Sequence, residues 1–347
     1  MNLATTVFPQ RGWLRDAPFD LTLIGAIAGL AFASGWLVLR WPHLFFPVFT
    51  LDLWLLGYHH VIATMTRVTF DVASFREYRY LVTWVPLLVL ALSTWLYSLF
   101  GAWILTSIYL YWQWFHYTRQ SYGIAQAYRR KADPGAIGPQ RLMSWTIYLL
   151  PIWGILSRSY QAPPTFLSMS IKYLPVPLWL LQLVSTLVVA SVLWWVGYQL
   201  ILLVRGRLQT AYTIFVASHL LVFCVGYLTI KNMDVGWLVL NVWHNTQYIL
   251  FVWLYNTNRF KGGLDPSHRF LSTISQPNRF LVYLGVCLAF STAVYFGMTQ
   301  FLRWSHLRSS GLSVILYSTI NFHHYIVDGM VWKLRRKTVR ENLGISQ

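Results

Sequence analysis

The run Asn321-Phe-His323-His324-Tyr-Ile-Val-Asp328-Gly-Met-Val-Trp332-Lys333 sets two adjacent histidines and a carboxylate inside an apolar stretch near the C-terminus. Read as a helix, it puts Asn321, His324 and Asp328 on one face, because they are three and then four residues apart. His323 lies about 100° round from His324, at 3.6 residues per turn. Polar groups of this kind are costly in hydrocarbon, and within a membrane helix they usually mark function. The reading therefore turns on whether the surrounding chain is a membrane protein and whether it supplies partners for these groups.

Composition answers the first question. Of 347 residues, 56% are hydrophobic and 18% aromatic, while only 11% are charged, against about 25% in soluble domains. The 19 tryptophans suit the aromatic belts at the two membrane interfaces. The formal net charge of +17 comes from basic residues placed between apolar runs. That pattern is expected of basic cytoplasmic loops and argues against nucleic-acid binding, which would gather the charge into one domain. Cys224 and Cys287 both lie in apolar runs, so neither a disulfide framework nor a CxxC metal site is expected.

A membrane-spanning helix needs about 20 mostly apolar residues. Ten runs qualify: Leu21 to Leu39, Leu44 to Arg67, Tyr80 to Leu99, Ala102 to Tyr128, Leu142 to Leu156, Pro177 to Val204, Thr210 to Ile230, Val235 to Tyr255, Phe280 to Leu302 and Gly311 to Trp332. The fifth is short and interrupted by Pro151. Polar loops follow the fourth and eighth runs, a loop rich in Ser and Pro follows the fifth, and a short basic tail follows the tenth.

Charge orients the runs. One set of loops carries Arg67, Arg76, Arg79, Arg129, Arg130, Lys131, Arg141, Arg205, Arg207, Arg259, Lys261, Arg269, Arg279, Lys333, Arg335, Arg336 and Lys337. The other set carries only Arg40, Arg158, Lys172, Lys231, Arg303 and Arg308. By the positive-inside rule, both termini are expected in the cytoplasm. The fold expected is thus an all-α polytopic membrane protein of about ten transmembrane helices. Residues 1–347 form a single transmembrane domain, placed in the bacterial inner (cytoplasmic) membrane.

Three of the ten histidines, His43, His268 and His306, fall at helix ends or in loops. The other seven, His59, His60, His116, His219, His244, His323 and His324, fall within the runs. Counted from the nearest basic loop residue, His60, His116, His244, His324 and His219 lie 7, 13, 15, 9 and 12 residues deep. At 1.5 Å per residue, five helices place histidine roughly 10–22 Å inside the same boundary. Polar residues share their faces. Asp52 is seven before His59, Gln113-His116-Gln120 form one stripe, and Asn241-His244-Gln247 form another.

Several neutral imidazoles converging on one site suit iron, copper or zinc. On this reading the metal ligands are His59, His60, His116, His244, His323 and His324, with His219 next. Asp328 is a further ligand or a base. Gln120 and Gln247 orient imidazoles, and Asp52, Asn241 and Asn321 are placed as further partners. Two alternatives stay open: a haem or pigment held by histidine, and a structural or proton-relaying polar core in a carrier or complex subunit. There is no GxGxxG after a strand, no GxxxxGK[ST] loop and no GxSxG elbow.

The pairs His59-His60 and His323-His324, with the single His116 and His244 on other helices, resemble the integral-membrane iron oxygenases of the fatty-acid desaturase and hydroxylase type. The chain also resembles the membrane carotene dioxygenases of the Brp and Blh type, which are polytopic, His-bearing and act on an apolar substrate. It differs from the desaturases in having no HxxHH or HxxxH element and many more spans. The resemblance implies a metal-dependent oxidoreductase, an oxygenase or desaturase. Two non-haem irons would activate dioxygen for attack on a lipid-soluble substrate among membrane lipids, with a separate protein supplying electrons.

Overall fold

The computed structural model describes residues 12–70, 72–132, 140–304 and 310–345. Of the features read above, His306, Arg308 and the 133–139 part of the loop after the fourth run lie outside the described residues.

The chain is all-α. Ten long helices run over the ten apolar stretches: α1 Ala17–Arg40, α2 Pro42–Val68, α3 Val72–Phe100, α4 Ala102–Ala132, α5 Gln140–Gln161, α6 Leu178–Val204, α7 Thr210–Thr229, α8 Met233–Arg259, α9 Phe280–Trp304 and α10 Ser310–Val331. Six of them, α1, α2, α3, α6, α7 and α9, are long and apolar enough to cross a membrane. The other four are less apolar; three of them, α4, α8 and α10, carry the polar stripes, whose histidines are buried. In α8, 22 of 27 residues are buried, as expected for the central helix of a bundle. It packs along α1 and also meets α2 and α7, while α10 packs against α2, α3 and α4. The outer helices turn bare apolar surface outward, as at Trp84 on α3, 72% exposed, and Leu193 on α6, 66% exposed.

Local chemistry explains the helix ends. Asp16 caps α1 by accepting the Phe19 amide at 2.9 Å, and Pro18 sits in the first turn, where its missing N–H costs nothing. Asn232 caps α8 through the Val235 amide at 3.0 Å.

Several details depart from the sequence expectation. Pro151 does not interrupt α5, which runs unbroken through Gln161. Arg158 is consequently inside a helix, 1% exposed, rather than in a loop. Its guanidinium donates to the carbonyls of Gly226, Ile230 and Lys231 at the C-terminal end of α7, where a helix leaves acceptors unpaired. The loop after α5 contains a two-stranded hairpin, Thr165–Phe166 against Met169–Ser170. Its turn uses Leu167 and Ser168 at φ 49° and 63°, a conformation that neither residue advertises. The Leu167 amide is tied to Asp234 at 2.9 Å, and Phe166 packs edge-on to Trp237 on α8. The basic tail also folds. A short helix, Lys337–Asn342, turns back on the bundle, with Asn342 donating to the Tyr255 hydroxyl at 2.8 Å.

Among the described residues, three of the long helices contain a π-turn: Thr22–Ala26 in α1, Leu53–Gly57 in α2 and Cys224–Thr229 in α7. Such bulges insert one residue into the helical repeat and often accompany functional sites.

Candidate metal centre

The bulge in α2 decides which histidine faces inward. In an unbroken α-helix, Asp52 shares its face with His59, seven residues on. One inserted residue moves that alignment to His60. The structure shows this shift, since Asp52 and His60 both face α8. Asp52 accepts a hydrogen bond from Asn241, and the His60 ring lies 5.4 Å from that of His244.

Four imidazoles and one carboxylate meet where α2, α4, α8 and α10 come together. The His60 and His324 rings are 4.5 Å apart, His116 and His244 4.9 Å, and His116 and His324 5.0 Å. Their nitrogens and the Asp328 carboxylate form two overlapping groups. One is His60, His116 and His244; the other is His116, His324 and Asp328. Within each, the ligand atoms lie within 4.8 Å of one another. All five residues are buried, His244 and His324 completely.

The hydrogen bonds around this cluster fix which atoms are bare. The Nδ1 of His60 is 2.6 Å from the Gly57 carbonyl, and a carbonyl only accepts. Nδ1 therefore carries the proton, and in the neutral ring Nε2 is a free lone pair. That lone pair faces the Nε2 of His324 at 3.0 Å. The Nδ1 of His324 is 3.0 Å from the Thr64 hydroxyl. Among the described residues, the Nε2 of His116 and both nitrogens of His244 have no hydrogen-bond partner. Asp328 accepts at one oxygen from Tyr248, at 2.6 Å, and from Thr64, at 3.1 Å. Its other oxygen lies 3.6 Å from His324 Nε2 and 3.8 Å from His116 Nε2.

This set fits a metal ion. Each buried polar atom left unpaired costs about 1–3 kcal/mol, and here several are left bare and aimed at one another. A cation among them would satisfy His116 Nε2 and one of the two His244 nitrogens together. Bonds of about 2.1 Å at right angles put two ligand nitrogens about 3.0 Å apart, which is the His60–His324 separation. Behind the ligands, Tyr248 accepts from the Trp332 indole at 2.9 Å and contacts Thr64 at 2.7 Å. Partners of this kind hold ligating side chains in orientation.

The remaining residues read from the sequence lie elsewhere. His59 faces away from the cluster and bonds back to the Leu55 carbonyl, for the register reason given above. His323 points round the helix to the Leu81 carbonyl on α3, at 2.6 Å, as the 100° step requires. His219 reaches the Ile147 carbonyl on α5, at 3.0 Å, with its ring against Phe223. It shares the depth of the cluster but not its position around the bundle. Gln120 donates to the backbone carbonyl of His244 at 3.4 Å, not to an imidazole. Gln247 is fully buried, and neither amide atom has a hydrogen-bond partner among the described residues. Asn321 bonds to the Tyr317 carbonyl at 2.9 Å. Asn241, Asp52, Tyr117 and Gln113 make a hydrogen-bonded network of their own beside His244.

Sequence reading missed Thr64 and Tyr248. Their signal was present. Each inward histidine has a polar residue four positions on: His60 and Thr64, His116 and Gln120, His244 and Tyr248, His324 and Asp328. On parallel helices that spacing builds a second polar layer one turn below the first.

A cavity of about 550 Å³ opens onto the cluster, within the range of ligand sites. Its inner end is formed by His116, Asp328 and Tyr248, and its walls by aromatic side chains including Trp112, Phe115, Phe251 and Trp332. Set against models of known protein families, characterised proteins and solved structures, the chain matches none.

Proposed function

We propose that this chain is a metal-dependent membrane oxidoreductase, an oxygenase or desaturase of the non-haem iron type acting on a lipid-soluble substrate. The observation that carries the reading is the convergence of ligand atoms from His60, His116, His244, His324 and Asp328, those of His116 and His244 without a hydrogen-bond partner among the described residues, beside an aromatic-walled cavity. Iron held there supplies dioxygen activation, and copper or zinc are the alternatives for the same donors. The chain's own groups do the rest. The aromatic walls hold an apolar substrate and exclude water. Asp328, with Tyr248 and Thr64 on its outer oxygen, is fixed in orientation at the end of the cavity and is the group placed to accept a proton there. Packing of the four rings at 4.5–5.4 Å argues against a haem between them. A separate protein would deliver electrons.

The same geometry supports ten crossings. The histidine layer and the polar layer four residues on meet in the same order on α2, α8 and α10. On α4 and α8, Gln113 meets Asn241 and His116 meets His244. These four helices therefore run parallel. One, three and one helices separate them in sequence, as alternating crossings require. Together with the loop charges, this favours cytoplasmic termini, and a bacterial inner membrane is the location we propose.

Elemental analysis and an optical spectrum of purified protein test the reading. The two donor groups, sharing His116, are where one or two irons would sit. One or two irons per chain without a Soret band support the proposal. A Soret band, or no stoichiometric metal after expression in iron-supplemented medium, overturns it.

A further inference from the structure

The cavity is not uniformly apolar. Arg119, Arg130, Lys333 and Arg335 line it together with the aromatic walls. Among the described residues, none of the four has a carboxylate partner, whereas the neighbouring Arg336 is paired with Glu77 at 2.6 Å. Lys333 is held below its usual range, first by partial desolvation and then by the positive charges of Arg335, Arg336 and Arg119. Cations that repel one another at a cavity wall are balanced when an anion sits between them. Loop charge alone explains basic residues on this side of the bundle, but not their placement on the wall of the cavity that ends at His116 and Asp328. Arg119 is three residues beyond His116 and Lys333 five beyond Asp328. At 1.5 Å per residue the cationic zone begins roughly 5–8 Å of axial rise from the donor cluster.

We propose that the cavity holds a single-chain anionic amphiphile, its carboxylate or phosphate head among Arg119, Lys333 and Arg335 and its chain directed inward to His116 and Asp328. This rests on the histidine cluster being the reactive end of the cavity. A volume of about 550 Å³ suits one chain rather than a two-chain phospholipid. The short C-terminal helix, whose Val339 lines the cavity with Leu343 just beyond it, closes over the head region.

The test is equilibrium binding of radiolabelled oleate, lysophosphatidate and methyl oleate to the full chain in neutral detergent. Inorganic phosphate serves as competitor, and metal content is measured on the same samples. The anionic ligands should bind roughly tenfold or more tightly than the ester, about 1.4 kcal/mol. Phosphate at equal concentration should not displace them. Lys333→Gln and the exposed Arg335→Glu should each reduce oleate affinity while metal content stays at the wild-type value. Equal affinity for oleate and its methyl ester, full affinity in both variants, or displacement by phosphate alone would overturn the proposal. Chelator-treated wild type separates the two readings. Charge-selective binding by a protein that never contained metal removes the metal centre and leaves the amphiphile site. Absent selectivity in metal-replete protein removes the amphiphile site alone.

Discussion

Replacing His244 with leucine should change stability in opposite directions depending on metal. His244 is fully buried, stacked on Tyr117 at 3.9 Å, and neither ring nitrogen has a hydrogen-bond partner among the described residues. Two unpaired buried nitrogens cost about 2–6 kcal/mol together, at about 1–3 each. Leucine removes that cost at similar volume and gives up the ring stack, worth about 0.5–1.5 kcal/mol. Metal-stripped His244→Leu should therefore be more stable than stripped wild type, by about 0.5–5.5 kcal/mol on these figures. With metal at 100 times its dissociation constant, wild type gains about 2.7 kcal/mol, and the variant should gain little or none. Denaturant titration in mixed micelles, followed by tryptophan fluorescence with chelator or with added iron, measures both differences. A histidine that merely tied two helices together would destabilise on replacement whether or not metal was present. Loss of stability in the stripped variant, or an undiminished response to metal, would refute the assignment of His244 as a ligand.

Tyr248→Phe removes the 2.6 Å donor to Asp328 and the acceptor for Trp332; metal affinity should fall about 10–100-fold, read by competition with a chromophoric chelator. His219→Gln should keep wild-type metal content by elemental analysis, because His219 bonds to the Ile147 carbonyl on α5 and not into the cluster; loss of metal would place it in the site after all. Gly236→Ala should sharply reduce the yield of monodisperse protein on size exclusion, because the added methyl would collide with the Gly226 carbonyl where α7 and α8 touch. That collision involves backbone, so relief requires the helices to part, at a cost of about 1–3 kcal/mol or more.

The architecture was legible because hydrocarbon imposes simple rules. Apolar runs of sufficient length located all ten long helices, and the histidine depths identified all four of the helices that meet at the cluster. Depth along a helix axis follows from residue counting. Position around the bundle does not, and this is why His219 has the right depth yet faces α5. Whether α7 joins the inner four depends on packing between helices distant in sequence. The reading of Arg158 failed for a related reason. A guanidinium near a helix end looks like a loop charge unless the carbonyls it serves, at the end of another helix, are known.

The π-turn in α2 marks the limit of periodicity most sharply. Asp52 and His59 satisfy the seven-residue rule, and nothing in Leu53-Trp-Leu-Leu-Gly57 overrides it. A bulge nonetheless forms there, with Gly57 the residue whose carbonyl then receives the His60 ring. The bulge both rotates His60 toward α8 and α10 and holds its Nδ1 proton, leaving Nε2 bare toward the cluster. A straight helix would have turned His59 to that side. Of the adjacent histidines in each pair, the structure admits one and assigns the other to a backbone carbonyl, Leu55 for His59 and Leu81 for His323. Adjacent positions on a helix cannot both face one small site. Each adjacent pair, His59-His60 and His323-His324, therefore contributes one candidate ligand. The regularity that matters is the polar residue four places after each inward histidine.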